Sequence, residues 1–241
     1  MNYSYFYGLN KDHTAMKKFI VLILSIFLVS TLSAQQKKFL DEFTIIDVDA
    51  PIQLKLVKIK ENEFPYIIYD TKGVTSSKFS FEIKNETLKI RERNDSQRQS
   101  ITEVTVGFTT LTDISIAKAD TTVDGVLSSR LLDLYISNNA HFSAEVDVLD
   151  IMVYASGKSR IVLNGKTKYH TAEITSAHYN AQTLESVSTV VESAHNAVAR
   201  VNAQERLEMT TTTGGKIFYH SQPVLLRSKI TAFGGEISLA K

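Results

Sequence analysis

The chain has 241 residues, 43% of them hydrophobic, and neither cysteine nor tryptophan, so it can bury a core in one domain or two. The missing cysteine excludes disulfides, thiolate catalysis, cysteine-ligated metals and a lipidated N-terminal cysteine. With 27 basic against 26 acidic residues, no positive surplus draws the protein to nucleic acid or anionic lipid.

Lys17 and Lys18 precede an apolar run from Phe19 to Leu32, and the small residues Ser33 and Ala34 precede Gln35-Gln36. A charged n-region, an apolar h-region of about 14 residues and a small-residue cleavage zone predict a secretory signal peptide over residues 1–34. The run is shorter than the ~20 residues that span a bilayer. The leader pattern begins at Met16-Lys17-Lys18, so Met16 is the expected start and the residues before it an upstream extension foreign to the native protein. Losing residues 1–34 removes three lysines and one aspartate and leaves 24 basic against 25 acidic residues. The expected mature product is a single domain, 35–241, exported to the periplasm, the outer cell surface or the medium, with no C-terminal anchor.

From Phe39 to Val57, Phe43, Ile45 and Val48, then Ile52, Leu54 and Leu56, interleave with polar residues, the period of two expected of half-buried strands. Pro65 opens Tyr66 to Tyr69, and Gly73 closes that unit with a turn. Phe79, Phe81 and Ile83 form the next strand, with Asn85-Glu86 as a hairpin turn into Leu88 and Ile90. Arg91 to Ser100 is polar without periodicity and reads as a solvated loop. Ile101, Val104, Val106 and Phe108 restart the strands, followed by Leu111, Ile114 and Ile116. No stretch after the leader shows a helical period.

From Leu111 onward a small-residue corner recurs between short alternating strands. Taking Ala119, Ala140, Gly157, Ala177, Ala194, Gly214 and Gly234 as equivalent, the corners return every 17 to 21 residues, the mark of a repeat architecture. One unit cannot bury its apolar face alone, whereas stacked units form a continuous core. The expected fold is therefore an all-β parallel β-helix, or β-solenoid, with short coils of about 20 residues and N-terminal strands that continue into or cap the stack. Corner residues are small because coils stack about 4.8 Å apart and a bulky side chain would hold the backbones apart. Gly214-Gly215 and Gly234-Gly235 also allow positive φ.

Val201 to Pro223 carries Val201, Ala203, Leu207, Gly214, Gly215, Ile217, Tyr219 and Pro223 in an order that resembles the GIN-domain family, described as putative auto-transporter adhesin heads of exported Bacteroidetes-type proteins. The entry strand Phe43 to Val57 is also similar to that family's opening. The resemblance implies a right-handed β-helical fold in an exported protein and brings no catalytic residues. The chain departs from the family's serine-glycine corners where Ser-Ala-His and Asn-Asn-Ala-His replace them.

His141, His178 and His195 each follow a corner alanine. His178 and His195, on neighbouring coils, are candidates for sharing a metal ion, but with Lys158 and Gly215 flanking them no third ligand is assured, and a stacked polar ladder is the favoured reading. Asp113, Asp120, Asp124, Asp133, Asp147 and Asp150, with Lys158 and Arg160 nearby, raise the alternative of a β-helical polysaccharide lyase or hydrolase. Scattered aspartates favour ordinary solvation instead. Tyrosines such as Tyr135, Tyr154 and Tyr169 are stacking candidates for a glycan. The reading is an exported, non-catalytic binding, adhesion or assembly surface at the cell envelope, without a cofactor. A glycan or an envelope protein is the expected partner, nucleic acid is not, and the C-terminal coil, built from Ile230, Phe233, Ile237 and Leu239, is a site for homo-oligomerisation.

Overall fold

Alternating apolar and polar residues give strands throughout. In the computed structural model the described residues are 36–72, 78–93, 100–231 and 233–240, and among them there is no helix. The predicted signal peptide, the start at Met16, the turn at Gly73, residues 94–99 of the polar stretch and Lys241 lie outside the described residues.

The chain enters with β1 (Gln36–Phe39), β2 (Ile45–Asp49), β3 (Gln53–Lys58), β4 (Tyr66–Asp70), β5 (Phe79–Lys84), β6 (Thr87–Glu92), β7 (Glu103–Phe108) and β8 (Asp113–Ala117), followed by the long strand β9 (Asp120–Ser137). Arg91 and Glu92, expected in a loop, complete β6 instead. Asn85 and Glu86 both have positive φ in the turn between β5 and β6, so the hairpin expected there closes through a type I′ turn. β2 lies parallel between β6 and β8, and β3 lies parallel between β7 and the opening of β9. The N-terminal strands therefore continue into the stack, and they also cap it. β4 runs antiparallel to β7 with β1 on its far side, and β5 runs antiparallel to β6. The Tyr69 ring lies 5.0 Å from Phe79 and 5.6 Å from Phe81, packed against the core at this end.

The repeat proper is carried by β9, β10 (His141–Ser156), β11 (Arg160–Thr175) and β12 (His178–Ala194), then by β13 (Val198–Val201), β14 (Arg206–Thr212), β15 (Lys216–Tyr219), β16 (Leu225–Ile230) and β17 (Glu236–Leu239). In β10 the buried residues are Phe142, Ala144, Val146 and Val148, then Ile151, Val153 and Ala155. The phase slips at Leu149-Asp150. That slip bends one strand so that both of its halves point their alternate side chains inward. Two parallel ladders result. The first holds β7, β3, the opening halves of β9 to β12, β13, β15 and β17; the second holds β6, β2, β8, the closing halves of β9 to β12, β14 and β16.

At the sharp corner a strand's first amide donates to the corner carbonyl of the preceding coil: His141 to Ala119, Arg160 to Ala140, His178 to Ser159, Val198 to Ala177, Lys216 to Ala197 and Glu236 to Gly215, all at 2.8 to 3.0 Å. The equivalent corner residues are thus Ala119, Ala140, Ser159, Ala177, Ala197, Gly215 and Gly235. Gly157, Ala194, Gly214 and Gly234 stand one to three residues ahead of that column, in the turns that lead to it. Those turns close with amide-to-carbonyl bonds such as Ala140 to Ser137 (3.1 Å) and Ala197 to Ala194 (3.1 Å). Asn138-Asn139, Gly157-Lys158, His195-Asn196 and Thr213-Gly214 fill their central places, every one at positive φ. Of each glycine pair, Gly214 and Gly234 take the positive φ, at 76°. Gly215 meets a different demand, since a Cβ there would lie 2.0 Å from the Ser193 carbonyl oxygen.

Candidate functional site

The outward side of the second ladder is a regular array, because parallel pairing in register sets equivalent positions directly beside one another. One row reads Asp113, Asp133, Met152, Thr171, Val190, and the next reads Ser115, Tyr135, Tyr154, Glu173, Glu192. Asp113 and Asp133 therefore share a rung position, a pairing that their spacing in the sequence did not reveal. Burial, reinforced by the Asp113 and Asp150 carboxylates, raises the Asp133 carboxyl above its ordinary range. From β8 to β12 these two rows contain Asp113, Asp133, Glu173 and Glu192 and, among the described residues, no lysine or arginine.

Tyr135 and Tyr154 stack face to face across neighbouring coils, with centroids 4.9 Å apart and planes 4° from parallel. The separation is the interstrand spacing. The outer faces of the pair look along the ladder toward Ser115 on one side and Glu173 on the other. Together with Ser137, Ser156 and Thr175 they line a shallow groove. Burial is the first cause of the raised Tyr135 phenol pKa, followed by the Asp133 carboxylate. Tyr135 is thus neutral near pH 7, and the pair offers apolar ring faces rimmed by hydrogen-bond acceptors. Such a surface suits the flat apolar face of a sugar ring, with its hydroxyls donating to carboxylates.

The remaining candidates do not converge. Asp147 pairs with Lys166 at 3.2 Å and Asp124 with Lys55 at 2.8 Å, both on the first ladder's side. Asp120 neighbours His141 on that ladder. Lys158 occupies a corner turn and Arg160 opens β11 on the first ladder. Among the described residues, the carboxylates at the stacked tyrosines therefore have no basic partner of the kind expected of a polysaccharide-cleaving cleft. His178 stands beside Arg160 and Val198 on adjacent coils, with His141 one coil beyond Arg160. His195 lies in the next corner turn, where its carbonyl accepts the Ser176 hydroxyl at 3.2 Å. Among the described residues no group of three or more His, Cys, Asp or Glu side chains is placed to hold a metal ion.

Sequence reasoning passed over a buried polar network. His170 points into the core from the second ladder, in phase with Ala172 and Ile174. Its Nε2 lies 2.7 Å from the Tyr179 hydroxyl and its Nδ1 lies 3.2 Å from Thr189 Oγ1. Thr189 donates to the Asn202 carbonyl at 3.1 Å, and Ser186 reaches the same oxygen at 2.7 Å. The Ser186 and Thr189 hydroxyls also lie 2.6 Å apart; with Thr189 assigned as the donor to Asn202, Nδ1–H donates to Thr189 and the bare Nε2 accepts from Tyr179. Burial lowers the His170 pKa to about 4 and raises that of Tyr179. The network ties three consecutive coils together across the core.

These features define a class: a short-coil parallel β-solenoid with a regular ladder on its outer side. The family model "Putative auto-transporter adhesin, head GIN domain" matches residues 42–223, and the chain belongs to that family. Among solved structures the chain is similar to a putative adhesin from Bacteroides fragilis, at 15% identity and a TM-score of 0.77. It is also similar to a putative adhesin from Parabacteroides distasonis, at 16% and 0.65, and to a putative lipid binding protein from the same species, at 11% and 0.65. Each similarity covers 86% of this chain and 96% of the other. At such identities the likeness is one of fold. No curated protein matches the chain in sequence.

Proposed function

We propose that this protein is an exported, non-catalytic solenoid that adheres to glycan-bearing material at the cell envelope through the outer side of its second ladder. The observation that carries this reading is the stacked Tyr135–Tyr154 pair, at 4.9 Å, set beside carboxylates in a shallow groove. Membership of an adhesin-head family supports adhesion as the role. The leader-like stretch before residue 35 supports export. Among the described residues these two rows carry no lysine or arginine from β8 to β12 and no group placed to hold a metal ion, which favours a binding role over cleavage of a polysaccharide.

The test is a glycan-array and envelope-fraction binding assay with the exported protein beside Tyr135→Ala and Tyr154→Ala. Loss of stacking is expected to weaken binding by roughly tenfold, with melting temperatures close to that of the parent protein. Undiminished binding by both variants, or release of sugar from any polysaccharide, would count against the reading.

A further inference from the structure

The two ends of the solenoid are unlike. At the N-terminal end β4 and β1 cover β7, β5 covers β6, and Tyr69, Phe79 and Phe81 pack there as an aromatic lid. At the other end β16 and β17 have no strand beyond them among the described residues. The amides of Leu225 and Thr231 donate back to the β14 coil, and those of Glu236 and Ala240 donate back to β15 and its corner. By strand alternation the main-chain groups of Leu226, Ser228, Ile230, Ile237 and Leu239 point off the end. The same residues are in phase with the buried Leu207, Thr211 and Ile217. Here, however, Leu226, Ile230 and Leu239 are 41%, 55% and 45% exposed. An open edge with apolar side chains is a template for strand addition.

We infer that this end joins a second copy of the chain in a two-fold, tail-to-tail dimer, with β16 of each copy antiparallel to β17 of the other. Head-to-tail stacking would need a parallel edge at the opposite end, and antiparallel strands and the aromatic lid occupy it. Two C-terminal edges related by a two-fold axis meet antiparallel, and the contact closes on itself. Charge selects the pairing. Arg227 and Lys229 face outward on β16, whereas Glu236 and Ser238 face outward on β17. Joining β16 to its own copy would gather four cations on one strip. Joining β16 to β17 sets Lys229 opposite Glu236 of the second copy, Arg227 opposite Ser238 and Leu226 opposite Leu239. In this register the main-chain groups of Leu226 and Ser228 that point off one end meet those of Leu239 and Ile237 of the second copy. Arg227 is engaged with Glu208 at 3.0 Å, whereas Glu236 holds an exposed pair with Lys216 at 3.5 Å and accepts the Ser238 hydroxyl at 3.2 Å, surface contacts easily exchanged for Lys229.

The experiment is sedimentation velocity with light scattering on the exported protein, three variants being followed beside it. The parent is expected to have the mass of two chains. Glu236→Lys and Leu239→Lys are expected to have the mass of one, with folding verified by circular dichroism. Adding Lys229→Glu to Glu236→Lys reverses the pair and is expected to restore the dimer, a rescue that a merely structural role for Glu236 does not predict. A monomeric parent, an open-ended polymer, a dimer indifferent to Glu236→Lys, or a charge swap that fails to restore it would overturn the inference.

Discussion

The hydroxyl of Tyr179 lies 2.7 Å from Nε2 of His170, joining the opening half of β12 to the closing half of β11 through the middle of the core. Burial keeps this imidazole neutral and lowers its pKa to about 4, whereas in the unfolded chain it titrates near 6.5. Because the unfolded state binds the proton first, the contribution of His170 to stability is undiminished above pH 6.5. It declines by about 1.4 kcal/mol per pH unit below that and levels off once the folded protein also protonates, near pH 4. Across the window the loss is on the order of 3 kcal/mol. Urea titrations from pH 7.5 to 4 are expected to show this decline in the parent and a shallower one in His170→Leu. Equal slopes would mean that His170 is not the titrating group.

Removing the phenol alone isolates the other half of the pair. Tyr179→Phe keeps the ring and leaves Nε2 of His170 buried without its donor, a loss of about 1–3 kcal/mol. Combining Tyr179→Phe with His170→Leu should cost less than the two singles added together, because the second change removes the atom that the first left unsatisfied. Additive effects would contradict the network.

Asp133 offers the opposite pH dependence. Its carboxyl pKa is raised by burial and by Asp113 and Asp150, so the folded protein holds the proton more tightly than the unfolded chain does. The fold therefore gains stability as pH falls through the carboxylate range, and at neutral pH the charge on Asp133 works against it. Asp133→Asn is expected to raise the melting temperature slightly at pH 7, the effect being small because the group is partly exposed. A lower melting temperature at pH 7 would show that the carboxylate has a stabilising partner.

The solenoid was legible because its two signals are local: alternation within each strand and small residues at each corner. The exact register was not. Gly157 and Ala194 look like corner residues, yet Ser159 and Ala197 occupy the column, because the type I′ turns ahead of it accept glycine, asparagine, histidine or lysine at positive φ. Composition alone cannot tell a turn glycine from one needed for close approach. The same ambiguity hid the rows of the outer face. Asp113 and Asp133 become neighbours only once β8 is paired with β9, and Tyr135 meets Tyr154 only through the pairing of β9 with β10. His170 had a visible signal, its phase with Ala172 and Ile174, but a histidine on an apolar stripe reads as a break in the pattern until its partners are known. The chain's excursion from β3 out to β6 and back to β8 has no local signature, since it depends on which of several similar strands wins each edge.

The last prediction separates the two kinds of corner glycine. At Gly215 the backbone passes so close to the preceding coil that a Cβ would lie 2.0 Å from the Ser193 carbonyl oxygen and 2.4 Å from its carbon. Backbone atoms of a paired strand cannot yield as a flexible side chain can, so even alanine there must push two coils apart. Gly234 is at φ 76°, and a Cβ on it would meet nothing within 4 Å. Its substitution by alanine therefore carries only the left-handed backbone cost of about 1–2 kcal/mol. Gly215→Ala carries no left-handed cost but overpacks two backbones, at the upper end of about 1–3 kcal/mol, and disturbs the amide that Glu236 directs to the Gly215 carbonyl at 3.0 Å. Chemical denaturation of the two variants is expected to rank Gly215→Ala as clearly the less stable. The reverse order would show that the corner is limited by backbone conformation, not by the stacking distance of the coils.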